Sequence, residues 1–208
     1  MAVRFYYASG SPYAWRVWLA LERKGVPYHR KTVSFDAGDL KTAEYGALNP
    51  RRRVPVLVDD DFVLAESAAI VEYIEDRWPL GPALFDRDAR KRAIQRRMVR
   101  EADAYLAEVG TRFVAGPASK ETADDLRDEL KLWENAATTG DYLTGELSAV
   151  DLTVFPLVAL FLRLAGRRAD FVEGDVIGPN LAAWTERMRA LPIVQHTWPP
   201  HWKSPAPA

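Results

Sequence analysis

Cysteine is missing from all 208 residues, so no side chain here can serve as a thiolate nucleophile, a thiolate metal ligand or half of a disulfide. Any sulfur chemistry must use a sulfur brought by another molecule. Histidine is scarce as well: His29, His196 and His201 are scattered, lack carboxylate companions at ligand spacing, and suggest no metal site. Nor is there an excess of charge of either sign. Lys and Arg number 28 against 29 Asp and Glu, which leaves no global field to draw the chain onto nucleic acid or anionic lipid. The longest apolar stretch, Val154 to Leu162, contains Pro156 and is too short for the ~30 Å of a hydrocarbon core. It reads as a buried helix, and no membrane partner is expected. Met1 leads into Val3-Arg4-Phe5-Tyr6-Tyr7 without a basic or apolar leader, which points to a cytoplasmic protein. What remains, 48% hydrophobic and 27% charged residues, has the balance of an ordinary globule with one large or two modest domains.

Short strand-like and helix-like runs alternate through the first third. Val3–Tyr7, a helix from Pro12 to Lys24, Tyr28–Val33, Val56–Val58, Phe62–Leu64 and a helix from Ser67 to about Arg77 give a βαβ…ββα order. Asp59-Asp60-Asp61 has the length and polarity of a hairpin loop, so the sheet is expected to be mixed. Two prolines and a glycine within Trp78–Phe85 mark a linker. Beyond it only helical patterns appear, near 86–115, 119–137, 148–165 and 180–190, each opened by Asp, Ser or Asn. The expected organisation is an α/β domain over 1–77, a linker over 78–86 and an all-α domain over 87–208. The tail from Trp198 is rich in proline and is assigned no function.

Three local patterns could carry chemistry. Ser11-Pro12 places a hydroxyl at the N-cap and a proline at N1 of the first helix. Directly after a strand, such a helix end offers backbone N–H groups and a positive dipole end to an anion. A thiolate would qualify, although Ser11 taken singly also fits a simple cap. The basic loop Asn49-Pro50-Arg51-Arg52-Arg53 runs into Val54-Pro55 at the mouth of a strand. A cis bond there would turn the Val54 backbone groups outward to pair with an extended peptide; an edge-strand proline beside a solvated arginine run fits the same residues. Third, Glu66-Ser67 ends the hairpin and opens a helix. Ser67 is read as an N-cap able to meet a carboxylate, and Glu66 as an acceptor for an ammonium.

Together, Ser11-Pro12-Tyr13-Ala14-Trp15-Arg16-Val17, Ala47-Leu48-Asn49-Pro50…Arg53-Val54-Pro55-Val56-Leu57 and Ala65-Glu66-Ser67-Ala68-Ala69-Ile70…Tyr73-Ile74 resemble the glutathione transferase superfamily, in the serine-type, theta- or zeta-like bacterial manner. The resemblance covers nearly the whole chain. It implies a thioredoxin-like N-terminal domain with a mixed four-stranded sheet, an all-α C-terminal domain, and glutathione as co-substrate. Carried over by position, Ser11 would hydrogen-bond the glutathione thiolate, with Ser9 and Tyr7 as substitutes. Val54, with Pro55 cis, would pair with the cysteinyl backbone, and Glu66 and Ser67 would hold the γ-glutamyl ammonium and carboxylate. Arg53 and Lys41 would lie near the glycyl end. Tyr13, Arg97, Arg100, Asp103 and Tyr105 would line an apolar pocket for a small electrophile. A homodimer is implied too. Gly145-Glu146-Leu147-Ser148-Ala149-Val150-Asp151 resembles the family's buried capping box, where the roles of Ser148 and Asp151 are structural. Ser11-Pro12-Tyr13 departs from the Ser-Ser-Cys of the zeta class, so maleylacetoacetate isomerisation, like dehalogenation, ranks as an alternative to conjugation. A non-catalytic binding or scaffold module is the alternative from another class.

Overall fold

The computed structural model describes residues 3–115, 119–138, 140–166 and 176–202; the end of the proline-rich tail, 203–208, lies outside the described residues. The chain divides into two compact units, Met1–Leu84 together with Pro192–Ala208, and Phe85–Leu191.

In the first unit, β1 (Val3–Tyr7), α1 (Pro12–Lys24), β2 (Tyr28–Thr32), a 3₁₀ turn (Asp39–Lys41), α2 (Ala43–Leu48), β3 (Val56–Asp59), β4 (Phe62–Ala65) and α3 (Ser67–Arg77) follow in order. The sheet order is β2-β1-β3-β4. β1 runs parallel to β2 and antiparallel to β3, and β3 and β4 form an antiparallel hairpin. This is the mixed four-stranded sheet expected from the sequence. Central β3 is apolar at consecutive positions, Val56, Leu57 and Val58 all being buried, as a strand covered on both faces requires. The edge strand β2 instead exposes His29, Arg30, Lys31 and Thr32, charges that discourage pairing with a further strand. The hairpin turns on Asp60 and Asp61, with Asp60 at φ 56°, the left-handed conformation that tight hairpins demand.

Helix α1 starts and stops where its residues dictate. Ser11 caps it, Pro12 occupies N1, and Gly25, at φ 64°, closes it by donating to the carbonyls of Glu22 and Leu21. Its residues from Ala14 to Leu21 are buried and pack on α3. Helix α9 (Pro192–Thr197) packs on α1 as well. Sequence pattern alone groups this last segment with the helical half. Its assignment to the first unit is decided instead by tertiary contacts such as the bond from Trp15 Nε1 to Thr197 Oγ1 at 2.8 Å.

The second unit holds α4 (Ala89–Glu101), a π-helical turn (Ala102–Leu106), α5 (Ala107–Ala115), α6 (Lys120–Ala136), α7 (Ala149–Ala165) and α8 (Pro179–Arg189). α7 is its core. Fourteen of its residues are buried, Pro156 among them, as a helix apolar on all sides must be. A β-carbon at Gly110 of α5 would lie 2.1 Å from the Phe161 ring, so only glycine permits this approach of α5 to α7. Ser148 and Asp151 form the expected capping box at the start of α7. Among the described residues no helix is long and apolar enough to cross a membrane.

Candidate functional site at one end of the sheet

Strand register decides which loops are neighbours. Tyr6 pairs with Val56, and Val56 with Ala65. The exit of β1, the entrance of β3 and the exit of β4 therefore stand side by side. The segments that continue from them are Ala8–Ser11, Val54–Pro55 and Glu66–Ser67, the three motifs of the sequence, which the sheet gathers at one end.

Ser11 sits at the first of these positions. Its Oγ accepts from the Ala14 N–H at 3.3 Å, which leaves the hydroxyl hydrogen to donate elsewhere. The first-turn N–H groups and the dipole of α1 put partial positive charge at the same place. Chemically this is a hydrogen-bond donor beside a helix N-terminus, suited to a small anion.

At the second position the Val54–Pro55 bond is cis. The loop before it is held by its own polar groups. Asn49, buried, donates from Nδ2 to the Arg53 carbonyl at 2.9 Å and accepts from the Arg51 N–H. The Tyr45 hydroxyl donates to the same Arg53 carbonyl at 2.9 Å; burial, and secondarily Tyr6, pushes this phenol up to about 12, so it remains a donor throughout the neutral range. Of the three arginines, Arg52 has a structural role, since at φ 52° it turns its guanidinium onto the carbonyls of Leu40 and Thr42. Arg53 and Lys41 are exposed.

The third position corrects one expectation. Ser67 is not the cap but the first residue of α3; Glu66 is the cap residue, at φ 69° and without a side-chain capping bond. Positive φ at a non-glycine residue is costly and persists where the surroundings enforce it. Ser67 Oγ is taken up by the guanidinium of Arg16, and both side chains are buried. Arg16 also lies 5.4 Å from the Tyr13 ring centroid, which is itself part-exposed on the first turn of α1. A buried guanidinium thus joins the second turn of α1 to the start of α3. The sequence carried a signal for it, since Arg16 interrupts the apolar run Ala14-Trp15…Val17-Trp18-Leu19, and a charge inside such a run needs a partner.

The two substitutes for Ser11 have other partners. Tyr7 Oη accepts from Thr32 Oγ1 at 3.4 Å, its ring stacked on Phe5, and Ser9 Oγ is 3.0 Å from His201 Nδ1. In the second unit Arg97 is exposed and paired with Glu101 at 3.0 Å, Arg100 is exposed, and Asp103 and exposed Tyr105 belong to the π-helical turn. Among the described residues no group of three or more His, Asp or Glu could hold a metal ion.

A thioredoxin-like sheet with a cis-proline at the mouth of its hairpin, in a chain whose second unit is helical among the described residues, defines a two-domain class, a thioredoxin-like domain joined to a helical one. Residues 10–77 match the family model for the glutathione S-transferase N-terminal domain. Glutathione S-transferase A of Pleuronectes platessa is 32% identical, over 94% of this chain and 91% of that one. Maleylacetoacetate isomerase of Mus musculus is 33% identical, over 70% of this chain and 72% of that one. The crystal structure of a glutathione S-transferase from the Antarctic clam Laternula elliptica superposes with a TM-score of 0.85 at 31% identity, covering 98% of this chain and 95% of that chain. The chain belongs to the glutathione S-transferase family.

Proposed function

We propose that this chain activates glutathione for attack on a small electrophile, with Ser11 donating its hydroxyl hydrogen to the sulfur. The observation that carries this is the Ser11 cap itself, a hydroxyl whose oxygen is engaged by Ala14 N–H at the positive end of α1. A thiol of pKa about 8.5 is only a few per cent ionised at neutral pH; a donor and a helix N-terminus both favour the anion and raise that fraction. The Val54 backbone would pair with the cysteinyl residue. Glu66 would meet the γ-glutamyl ammonium and Ser67, with Arg16 behind it, the carboxylate; Arg53 and Lys41 would draw the glycyl carboxylate. Choice of electrophile is assigned to Tyr13 and, in the second unit, to Arg97, Arg100 and Tyr105. The working form would be a cytoplasmic homodimer with a role in detoxification.

Retention on immobilised glutathione and a thiolate absorbance band on adding glutathione near pH 7 are the expected results. Loss of both would leave a scaffold module as the better account. Arg16→Met should raise KM for glutathione by roughly 10-fold or more with a smaller fall in kcat, since the charge acts on the carboxylate and not on the sulfur; steady-state kinetics over both substrates measures the split. A second reading is favoured by the likeness to the mouse maleylacetoacetate isomerase: the same thiolate would add to a double bond and leave again after rotation. Turnover of a cis-enoyl diacid without consumption of glutathione would identify it.

A further inference from the structure

The Thr197–Trp202 segment lies against the loop that presents Ser11. Trp15, buried on α1, meets Trp198 edge to face at 5.3 Å and Trp202 at 5.4 Å, and those two meet each other at 5.8 Å. Thr197, fully buried, accepts from Trp15 Nε1 at 2.8 Å and donates to the Ile193 carbonyl at 2.7 Å. This aromatic wedge fixes the chain that follows it. From it, His201 Nδ1 reaches Ser9 Oγ at 3.0 Å, 192 residues away in sequence. At the next loop residue, Gly10, a β-carbon would stand 3.0 Å from the His201 ring and 3.1 Å from Trp202 Nε1. Gly10 is also at φ 83°, so loop and segment are shaped to each other at two successive residues.

We propose that this segment is a clasp on the Ala8–Ser11 loop and that His201, through Ser9, is a positioning residue for the Ser11 hydroxyl. The proposal rests on the assignment of Ser11 made above. A serine side chain has one rotatable carbon bond, so the place of its donor follows the place of its backbone. That backbone is a turn, with Ser11 N–H donating to the Ala8 carbonyl at 3.2 Å, and its two intervening residues are the ones the clasp holds. Displacement of a donor by about 1 Å is enough to cost up to about 100-fold in rate. His201 Nδ1 and the Ser9 hydroxyl can each donate or accept, according to the imidazole tautomer. Ser9 is thereby recast from a substitute donor into part of the support.

Because the chain has no cysteine, Ser11→Cys installs its sole thiol at the position in question, and alkylation rate against pH reads that thiol's pKa with no glutathione present. In this background His201→Ala and Ser9→Ala should each raise the pKa by about 0.5 unit or more, and the double variant by no more than either alone. His201→Asn, whose amide oxygen can stand where Nδ1 stood, should restore it. With Ser11 in place, His201→Ala should lower kcat roughly three- to tenfold while leaving KM for glutathione within about twofold. His201 is exposed, so its loss leaves the core packed. A thiol pKa that does not move in the Ser11→Cys background, or additive shifts from Ser9 and His201, overturns the clasp. If that thiol responds but the wild-type chain does not ionise glutathione, the clasp stands and the transferase assignment fails.

Discussion

Ser11→Ala is expected to lower kcat/KM for conjugation at neutral pH by about 10- to 150-fold, because a hydrogen bond to a charged group contributes about 1.5–3 kcal/mol. The same energy appears as a rise of about 1–2 units in the pKa of the bound thiol. Activity depends on the thiolate, so it climbs with pH through that pKa; removal of the donor moves the pH–rate profile to the alkaline side by the same amount, and the deficit narrows as the pH passes the raised value. Loss of the cap from Ala14 N–H costs about 0.5–2 kcal/mol of stability, which a thermal melt separates from the chemistry. Ser11→Thr keeps both the donor and the cap and should recover most of the rate. An unchanged thiolate absorbance and an unshifted profile in folded Ser11→Ala would assign the activation to the helix terminus or to another residue.

Local chemistry makes much of this fold legible in the sequence. Ser11-Pro12 and Gly25 bound α1 because a capping oxygen, a fixed φ and a left-handed residue are needed at those places whatever surrounds them. The hairpin strands are marked by Val56–Val58 and Phe62–Leu64 around a polar turn. Short elements held by distant partners escaped. The turn Asp39–Lys41 and α2 have too few residues for a period, and what holds that region, Arg52 on the carbonyls of Leu40 and Thr42, lies downstream. α9 is six residues long and owes its place to Trp15. The π-helical turn at Ala102–Leu106 breaks a stretch that reads as unbroken helix. In the site, Ser11, Val54-Pro55 and Glu66-Ser67 could be picked out one by one, but not who touches them. Ser67 has the composition of a cap and is instead the acceptor for Arg16, and Ser9 has the look of a spare donor and is held by His201. Contacts across 51 and 192 residues leave no trace in spacing.

Asp151→Ala is expected to destabilise the second unit by about 3–5 kcal/mol, because it strands several buried hydrogen-bond donors at once. The carboxylate is fully buried and accepts four bonds: from the Leu143 N–H at 2.9 Å, the Ser148 N–H at 2.9 Å, the Ser148 hydroxyl at 3.1 Å and Trp184 Nε1 at 3.0 Å. Alanine leaves those donors without an acceptor and too deep for ready access to water, and each unsatisfied group costs about 1–3 kcal/mol, with less than full additivity. A fall in Tm of roughly 6–20 °C follows for a chain of this size. The elements concerned are the turn before α7, the start of α7 and the middle of α8, so hydrogen exchange should accelerate there while the sheet of the first unit retains its protection. Burial pushes the Asp151 carboxyl above its ordinary 3.8 despite the four donors. The folded state therefore binds a proton more readily than the unfolded chain, and this group's contribution to stability is largest below 3.8 and declines as pH rises through the folded value. Asp151→Asn, which does not titrate, should accordingly show a Tm deficit against wild type that is larger in acid than at neutral pH. Equal deficits at both would mean that the carboxyl ionises in the fold as it does in the unfolded chain.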